Sequence, residues 1–301
     1  MQRRSISVVI PAYRAAGTIA SALRSVFIQS IRPDEVIVVD DGSPDALADV
    51  VARDFPEVRL LRQANAGPAA ARNRGAAAAK GEWLAFLDAD DAWLPGKLER
   101  QLEMAAAPDV GVIAGGVLGR ETKAFDPAPG FDALWERNSV ATSSALVRRA
   151  AYQTAGGMEA RFRHCEDYHL WLRLAHAGWR VVICAEPMVV YTPAATSLTH
   201  QLDAFAEAER MCVEDIAARF RIPSGQLRRR IAESYRQHAR GALHVRQMRS
   251  ARAFLRRSLR YRVTARQVVD LMAASAPRTL LDLRRWLRGG DTPVGSPEAG
   301  R

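Results

Sequence analysis

The feature that most constrains this chain is the regular alternation of short apolar runs with helical segments over its first 116 residues. Residues 5–10 (Ser-Ile-Ser-Val-Val-Ile) form a β-branched run stopped by Pro11, and residues 19–29 carry Ile19, Leu23, Val26 and Phe27 on one helical face. Residues 35–39 read as a second strand, 45–54 as a helix capped by Asp45, and 58–61 as a third strand. An Asn65-Ala66-Gly67-Pro68 turn leads into an alanine-rich helix over 69–79, followed by strands at 83–87 and 110–114. Strand and helix alternating at this spacing predict an α/β fold with a mainly parallel, Rossmann-like sheet covered on both faces and right-handed crossovers.

Several of these strands end in acidic residues. Residues 83–87 (Trp-Leu-Ala-Phe-Leu) suit a strand buried on both faces, and Asp88, Asp90 and Asp91 arrive immediately after it. Carboxylates crowded at a buried strand end repel one another unless a positive charge joins them. A divalent cation on a pyrophosphate would supply it, and Mg2+ or Mn2+ prefer such hard oxygen ligands. Asp40-Asp41-Gly42-Ser43 comes directly after the second strand, and Pro11 to Tyr13 after the first. In a parallel sheet these three segments share one rim, the carboxyl edge where ligands bind. Asp91 is expected to begin a helix near Pro95.

Beyond residue 117 the pattern loosens. Strands are expected over 141–147, 181–184 and 188–191, with helices over 150–155 and 168–177. From residue 201 to 288 the chain reads as arginine-rich helices, with Leu202, Phe205 and Met211 facing the rest of the protein. Residues 289–301, rich in Gly and Pro, are expected to be disordered. The expected division is therefore 1–200, with a change of pattern between 1–116 and 117–200, then 201–288 and 289–301.

Charge separates these regions. Residues 1–200 hold 22 Lys+Arg against 23 Asp+Glu, whereas 201–301 hold 21 Arg against 10 Asp+Glu, so the basic excess lies wholly in the tail. Arg278, Arg284, Arg285 and Arg288 accompany Leu280, Leu281, Leu283, Trp286 and Leu287, a pattern suited to a membrane surface or to a packed hairpin with solvated arginines. Nucleic acid is disfavoured, because few aromatics interleave with the arginines. Cys165, Cys184 and Cys212 have neither metal nor disulfide spacing, which favours a reducing compartment. The N-terminal Met-Gln-Arg-Arg-Ser leaves no room for a signal peptide, and no run reaches membrane-span length. The expected location is cytoplasmic, and the membrane-surface reading of the tail would place it at the inner face of the membrane.

Five segments together carry a resemblance: Val8-Val9-Ile10-Pro11-Ala12-Tyr13, Val38-Val39-Asp40-Asp41-Gly42-Ser43, Ala71-Arg72-Asn73-Arg74-Gly75, Phe86-Leu87-Asp88-Ala89-Asp90-Asp91, and Gly156-Gly157 followed by Glu166-Asp167. In this order and spacing the chain resembles a family 2 glycosyltransferase of the GT-A fold, an inverting enzyme that uses nucleotide-diphosphate sugars. The resemblance spans about residues 5–195 and implies a nucleotide-binding half over 1–116 and an acceptor half over 117–200. It implies a UDP- or dTDP-sugar donor, a glycan or lipid-linked acceptor, and a divalent metal, Mg2+ or Mn2+.

By the same resemblance, Pro11, Ala12, Tyr13 and Asp40 or Asp41 hold the nucleoside, Asp88 and the adjoining Ala89 approach the ribose, and Asp90 binds the metal. Arg72 meets the base or the phosphates, while Arg74 points away. Asp167 is the candidate general base, with Glu166 second; neighbouring helical residues sit about 100° apart, so one of the two faces the sugar. The Gln-x-x-Arg-Trp signature of processive members is absent, which implies transfer of a single sugar. No histidine adjoins Tyr191-Thr192-Pro193, and His200 is a weak substitute; His164 is a candidate acceptor contact. Two other functions are compatible with these residues. One is a polyprenyl-phosphate glycosyltransferase, and the other a non-catalytic binding protein whose basic tail docks nucleic acid or a partner. The intact Asp88, Asp90 and Asp167 set argues against the last.

Overall fold

The computed structural model describes residues 4–119, 126–192 and 202–275. Within it the chain divides into two compact units, Met1–Ile222 and Pro223–Arg301. The expected tail features at 278–301, together with His200 and Pro193, lie outside the described residues.

The first unit opens with the anticipated alternation: β1 (Ile6–Ala12), α1 (Ile19–Phe27), β2 (Glu35–Asp40), α2 (Leu47–Asp54), β3 (Arg59–Arg62), α3 (Pro68–Ala78) and β4 (Trp83–Phe86). Then come β5 (Ala92–Trp93), α4 (Lys97–Met104), β6 (Val110–Val117) and α5 (Phe131–Glu136). A 3-10 turn at Thr142–Ser144 precedes β7 (Leu146–Arg148), α6 (Arg149–Thr154), α7 (Glu166–His176), β8 (Arg180–Val190) and α8 (Leu202–Phe220).

The strands form one sheet in the order β3-β2-β1-β4-β7-β6-β8-β5. The pairs β1–β2, β2–β3, β1–β4 and β6–β8 are parallel; β4–β7, β6–β7 and β5–β8 are antiparallel. This is the expected GT-A type α/β architecture, with β7 inserted antiparallel beside β4. Val8, Val9 and Ile10 of β1 and all of β4 are buried, as strands covered on both faces must be. Gly75 lets α3 lie directly on β1, because a Cβ there would fall 2.4 Å from Val9 Cγ1.

Four local expectations need correction. Residues 141–145 are not strand but lead through the Thr142–Ser144 turn, and only Leu146–Arg148 pairs. The two strands expected over 181–191 are one, β8; its register against β6 shifts around Gly116, opposite Pro187, so the proline is absorbed by an irregularity. Helix α7 starts at Glu166 rather than Tyr168. Asp91 starts no helix: the next residues form β5, and α4 begins at Lys97 behind Gly96, whose φ is 77°.

Of the residues expected to face inward on α8, Phe205 stacks edge-on with His164, but Met211 is exposed; Cys212, Val213, Ile216 and Ala217 are buried instead. The second unit comprises α9 (Ser224–His244), α10 (Met248–Tyr261) and α11 (Ala265–Ser275). Among the described residues no helix is long and apolar enough to cross a membrane.

Candidate active site

Parallel pairing of β2, β1 and β4 brings Asp40-Asp41, Pro11 to Tyr13 and Asp88 to Asp91 to the same edge of the sheet. Two groups of residues form there, each tied together by its own hydrogen bonds.

The first group centres on Arg72. Helix α3 presents this side chain almost fully buried, with Nη2 donating to Asp88 Oδ1 at 2.5 Å and Nη1 to Glu166 Oε1 at 2.6 Å. One guanidinium thus joins the end of β4 to the start of α7. The two carboxylates raise the Arg72 pKa against the opposing effect of burial. Its Nε is buried without an acceptor among the described residues. Arg74, two residues on, is exposed, as expected.

Glu166 and Asp167 open α7 behind Cys165, which adopts a left-handed φ of 62°. They go to different partners. Glu166 pairs with Arg72, while Asp167 Oδ2 accepts from Thr142 Oγ1 at 2.6 Å and Oδ1 from the Tyr168 amide at 2.6 Å. Glu166 is buried and Asp167 partly exposed. Burial pushes both carboxyls above their ordinary range, with Arg72 opposing it at Glu166 and the Thr142 hydroxyl opposing it at Asp167.

The three aspartates after β4 have three different surroundings. Asp88 is paired with Arg72 and donates its amide to Ser143 Oγ at 3.1 Å. Asp91 turns inward, accepting from Ser143 Oγ at 2.6 Å and from the Thr192 amide at 3.2 Å; burial and then Asp88 push it up to about 7. Asp90 is partly exposed, and burial followed by the neighbouring Asp88 charge raises its carboxyl. Of the three it alone enters no ion pair and no hydrogen bond with another side chain among the described residues. Ala89 between them is buried.

The second group lies around the ends of β1 and β2. Pro11 and Ala12 are buried in the strand, and Tyr13 stands 45% exposed with the Arg14 guanidinium 5.3 Å from its ring centre. Arg14, at a φ of 53°, donates its amide to Ser43 Oγ at 3.0 Å. Asp41 accepts from Gln63 Nε2 and from the Ala66 and Gly67 amides, all within 2.7–2.9 Å, and so fixes the turn into α3. Asp40 Oδ1 accepts from the Ser43 amide at 2.8 Å, but its buried Oδ2 makes no hydrogen bond among the described residues, although Arg62 Nε lies 3.2 Å away. Distance without alignment leaves that oxygen an unused acceptor.

Sequence patterns did not reveal Thr142, Ser143 or Asn73. The first two clasp Asp167, Asp88 and Asp91. The Thr-Ser-Ser run was the available signal, since clustered hydroxyls favour side-chain bonding over a strand ladder. Asn73 accepts from Tyr152 Oη and the Met158 amide and donates to the Met158 carbonyl, which fixes the Gly156-Gly157 turn on α3. Gly157 has a φ of 71°, and a Cβ there would meet Asn73 Oδ1 at 2.6 Å.

This fold and rim have counterparts of known class. The model for glycosyl transferase family 2 matches residues 7–154. The amylovoran biosynthesis glycosyltransferase AmsB of Erwinia amylovora is 30% identical over 214 residues, 64% of this chain and 70% of AmsB. The succinoglycan biosynthesis protein ExoO of Rhizobium meliloti is 44% identical over 104 residues, and the uncharacterized glycosyltransferase YibD of Escherichia coli 41% over 110. The matched stretch is 34% of this chain and 30% of ExoO, and 36% of this chain and 32% of YibD.

Among solved structures, S. aureus TarS 1-349 in complex with UDP-GlcNAc superposes with a TM-score of 0.63 at 18% identity, covering 89% of this chain and 84% of TarS. The mannosyltransferase PcManGT of Pyrobaculum calidifontis, in complex with GDP-Man and Mn2+, gives 0.62 at 21%, covering 96% and 84%. The fold is therefore GT-A-like. The chain belongs to glycosyl transferase family 2.

Proposed function

We propose that this protein transfers a single sugar, with inversion, from a nucleotide-diphosphate sugar to a hydroxyl acceptor. The observation that carries the reading is the Arg72 bridge between Asp88 and Glu166, which leaves Asp90 and Asp167 outside its ion pairs. A fold needing only neutralised carboxylates has no use for two more raised beside the pair.

In this reading Asp40, with its unused Oδ2, accepts from the nucleoside, and the exposed ring of Tyr13 lies against it; Asp41 shapes the neighbouring turn into α3. Pro11, Ala12 and Ala89 form the floor, and Asp88 meets the ribose. Among the described residues no three His, Cys, Asp or Glu side chains converge as a metal cage. That donor set fits a cation of the magnesium type, which is held through one or two carboxylates and completed by substrate phosphates. Asp90, with Asp88 beside it, would hold Mg2+ or Mn2+ there, and such an ion supplies charge neutralisation for a departing nucleoside diphosphate.

Asp167 takes the acceptor's proton. Its raised pKa brings it toward the range where a base works best near neutrality, and Thr142 fixes its orientation. Glu166 acts through Arg72 as a positioning residue. Two relatives are named for the biosynthesis of amylovoran and succinoglycan, and an acceptor of that kind, a glycan free or lipid-linked, is what we propose. The donor base is UDP, dTDP or GDP; the two neighbours cited hold one uridine and one guanosine donor. Three free cysteines, two of them buried, support a reducing, cytoplasmic setting.

The test compares Asp167→Asn with Glu166→Gln in donor affinity and turnover. Asp167→Asn is expected to bind donor within a few-fold of wild type and to lose about 10²–10⁴-fold in turnover. Wild-type turnover in Asp167→Asn, or a larger loss confined to turnover in Glu166→Gln, would remove Asp167 from the role of base.

A further inference from the structure

The C-terminal helices carry two features that the sugar-transfer reading does not use. The first is charge. Residues 223–275 contain thirteen arginines and no lysine, against Glu233 and Asp270 alone. Glu233 is already paired with Arg236 at 2.6 Å. Arg228, Arg229 and Arg262, with Gly225 and Tyr261, line an open pocket of about 350 Å³ at the start of α9, and no carboxylate among the described residues lines it. Arg228 donates from Nη2 to the Arg260 carbonyl at 3.3 Å, and the clustered positive charge makes this opening attractive to an anion. The first turn of α9 has no acidic residue and no side-chain cap, so its amides add to the same attraction.

The second feature is an amphipathic helix with its apolar side outward. On α11 the inward face is polar or small: Gln267 is 3% exposed and donates to Ser258 Oγ at 2.6 Å, which in turn donates to the Ala232 carbonyl at 2.7 Å. The Ala274 carbonyl accepts from Arg252 Nε at 3.0 Å. The opposite face presents Val268, Val269 and Met272, the last two 57% and 68% exposed, and Val263 just before the helix is 72% exposed. Helical spacing at about 100° per residue puts the three helix residues within one stripe. Val263 directly follows Arg262 of the pocket, so anion site and apolar stripe adjoin in the chain.

We propose that this unit docks on an anionic phospholipid bilayer. A headgroup phosphate enters the arginine pocket, and Val263, Val268, Val269 and Met272 lie at the boundary between headgroups and acyl chains. A phosphate joined to an apolar chain is the chemistry that satisfies both features at once. A second copy of this chain would bring another strongly basic unit against the first, and a nucleic acid would leave the apolar stripe in water. The proposal stands independently of the sugar-transfer reading, because its test needs neither donor nor acceptor.

The experiment is co-sedimentation of the full chain with vesicles of phosphatidylcholine and phosphatidylglycerol, against phosphatidylcholine alone, over a range of salt. Binding is expected only to the anionic vesicles and to weaken with salt. Arg228→Gln and Arg262→Gln are each expected to lower it about fivefold, and the Val269→Glu/Met272→Glu pair by about tenfold or more, with circular dichroism unchanged. Absence of binding by the wild type overturns the proposal. So does an unchanged affinity in Val269→Glu/Met272→Glu. A wild-type dimer split by that pair would assign the face to a second copy. Inorganic phosphate is the remaining arm. If it raises the wild-type melting temperature, but not that of Arg228→Gln/Arg262→Gln, while vesicles fail to bind, the pocket takes free phosphate instead.

Discussion

Two acidic strand ends sit on the same rim, and they are built in opposite ways. At the end of β2, Asp41 points both oxygens at the chain's own amides and Gln63, so the segment closes on itself. At the end of β4 the neutralising group comes from far away in sequence. Arg72 reaches Asp88 from α3 and Glu166 from α7, while Asp90 is left with its carboxylate raised by burial and by Asp88. Asp-Asp-Gly-Ser and Asp-Ala-Asp-Asp look alike as strings. One closes on the turn into α3, and the other is tied to distant helices through Arg72 while Asp90 stays outside that pairing.

The largest expected effect is at Arg72. Arg72→Met strands two carboxylates, one of them buried, and is expected to destabilise the fold by about 3–5 kcal/mol. Arg72→Lys should recover little, since an ammonium cannot reach both partners as a fork does. Chemical denaturation checks this. A loss below about 1 kcal/mol would mean that the β4 end is closed by local bonds, as the β2 end is, and the contrast would fail.

A second effect is pH-dependent and runs through α7, which carries Glu166 and Asp167. Buried His169 accepts from Arg173 Nε at Nδ1 and donates from Nε2 to Asp215, a pattern that requires the neutral ring. Burial lowers its pKa from 6.5 to about 4. Between those values the unfolded chain takes up a proton that the folded chain refuses. The contribution is therefore fully present above pH 6.5 and lost as pH falls toward 4, on the order of 3 kcal/mol in all. Hydrogen exchange should show α7 losing protection on acidification before the Ala66 and Gly67 amides held by Asp41 do. Simultaneous loss would mean that the two ends are one cooperative unit.

Asp41→Asn sharpens the comparison from the other side. An amide nitrogen turned toward the Ala66 and Gly67 amides leaves donors unsatisfied, and a loss of about 1–3 kcal/mol is expected. Donor affinity should persist at temperatures where that variant remains folded. Asp90→Asn, by contrast, should leave stability within about 0.5 kcal/mol of wild type.

Much of this was legible in the sequence, for particular reasons. Strands β1, β2 and β4 are short apolar runs, and the parallel rim follows from their alternation with helices; Pro11, read as the stop of β1, lies within the strand, which runs on to Ala12. The candidate residues on that rim could be named because they sit at strand and helix ends. Their partners could not. Nothing in the string says that Arg72 reaches Asp88 and, 94 residues away, Glu166, or that Asp41 bonds to the turn into α3. Residues 141–147 misled because an apolar run with threonine reads as a strand, whereas the hydroxyls of Thr142 and Ser143 have tertiary partners that decide the local structure. Asp91 misled similarly: a carboxylate before Pro95 suits a helix start, yet Ser143 and Thr192 draw it inward. The runs 181–184 and 188–191 read as two strands, but irregular pairing with β6 carries one strand, β8, through Pro187.

The central claim is that the β4 end, and not the β2 end, holds the metal of a metal-bound donor. The most direct test is calorimetric titration of UDP, dTDP and GDP, with and without manganese, into wild type, Asp90→Asn and Asp41→Asn. The account predicts that one of these nucleotides binds wild type more tightly with manganese, that Asp90→Asn loses this gain, and that folded Asp41→Asn keeps it. A manganese gain undiminished in Asp90→Asn, or abolished in folded Asp41→Asn, would contradict it.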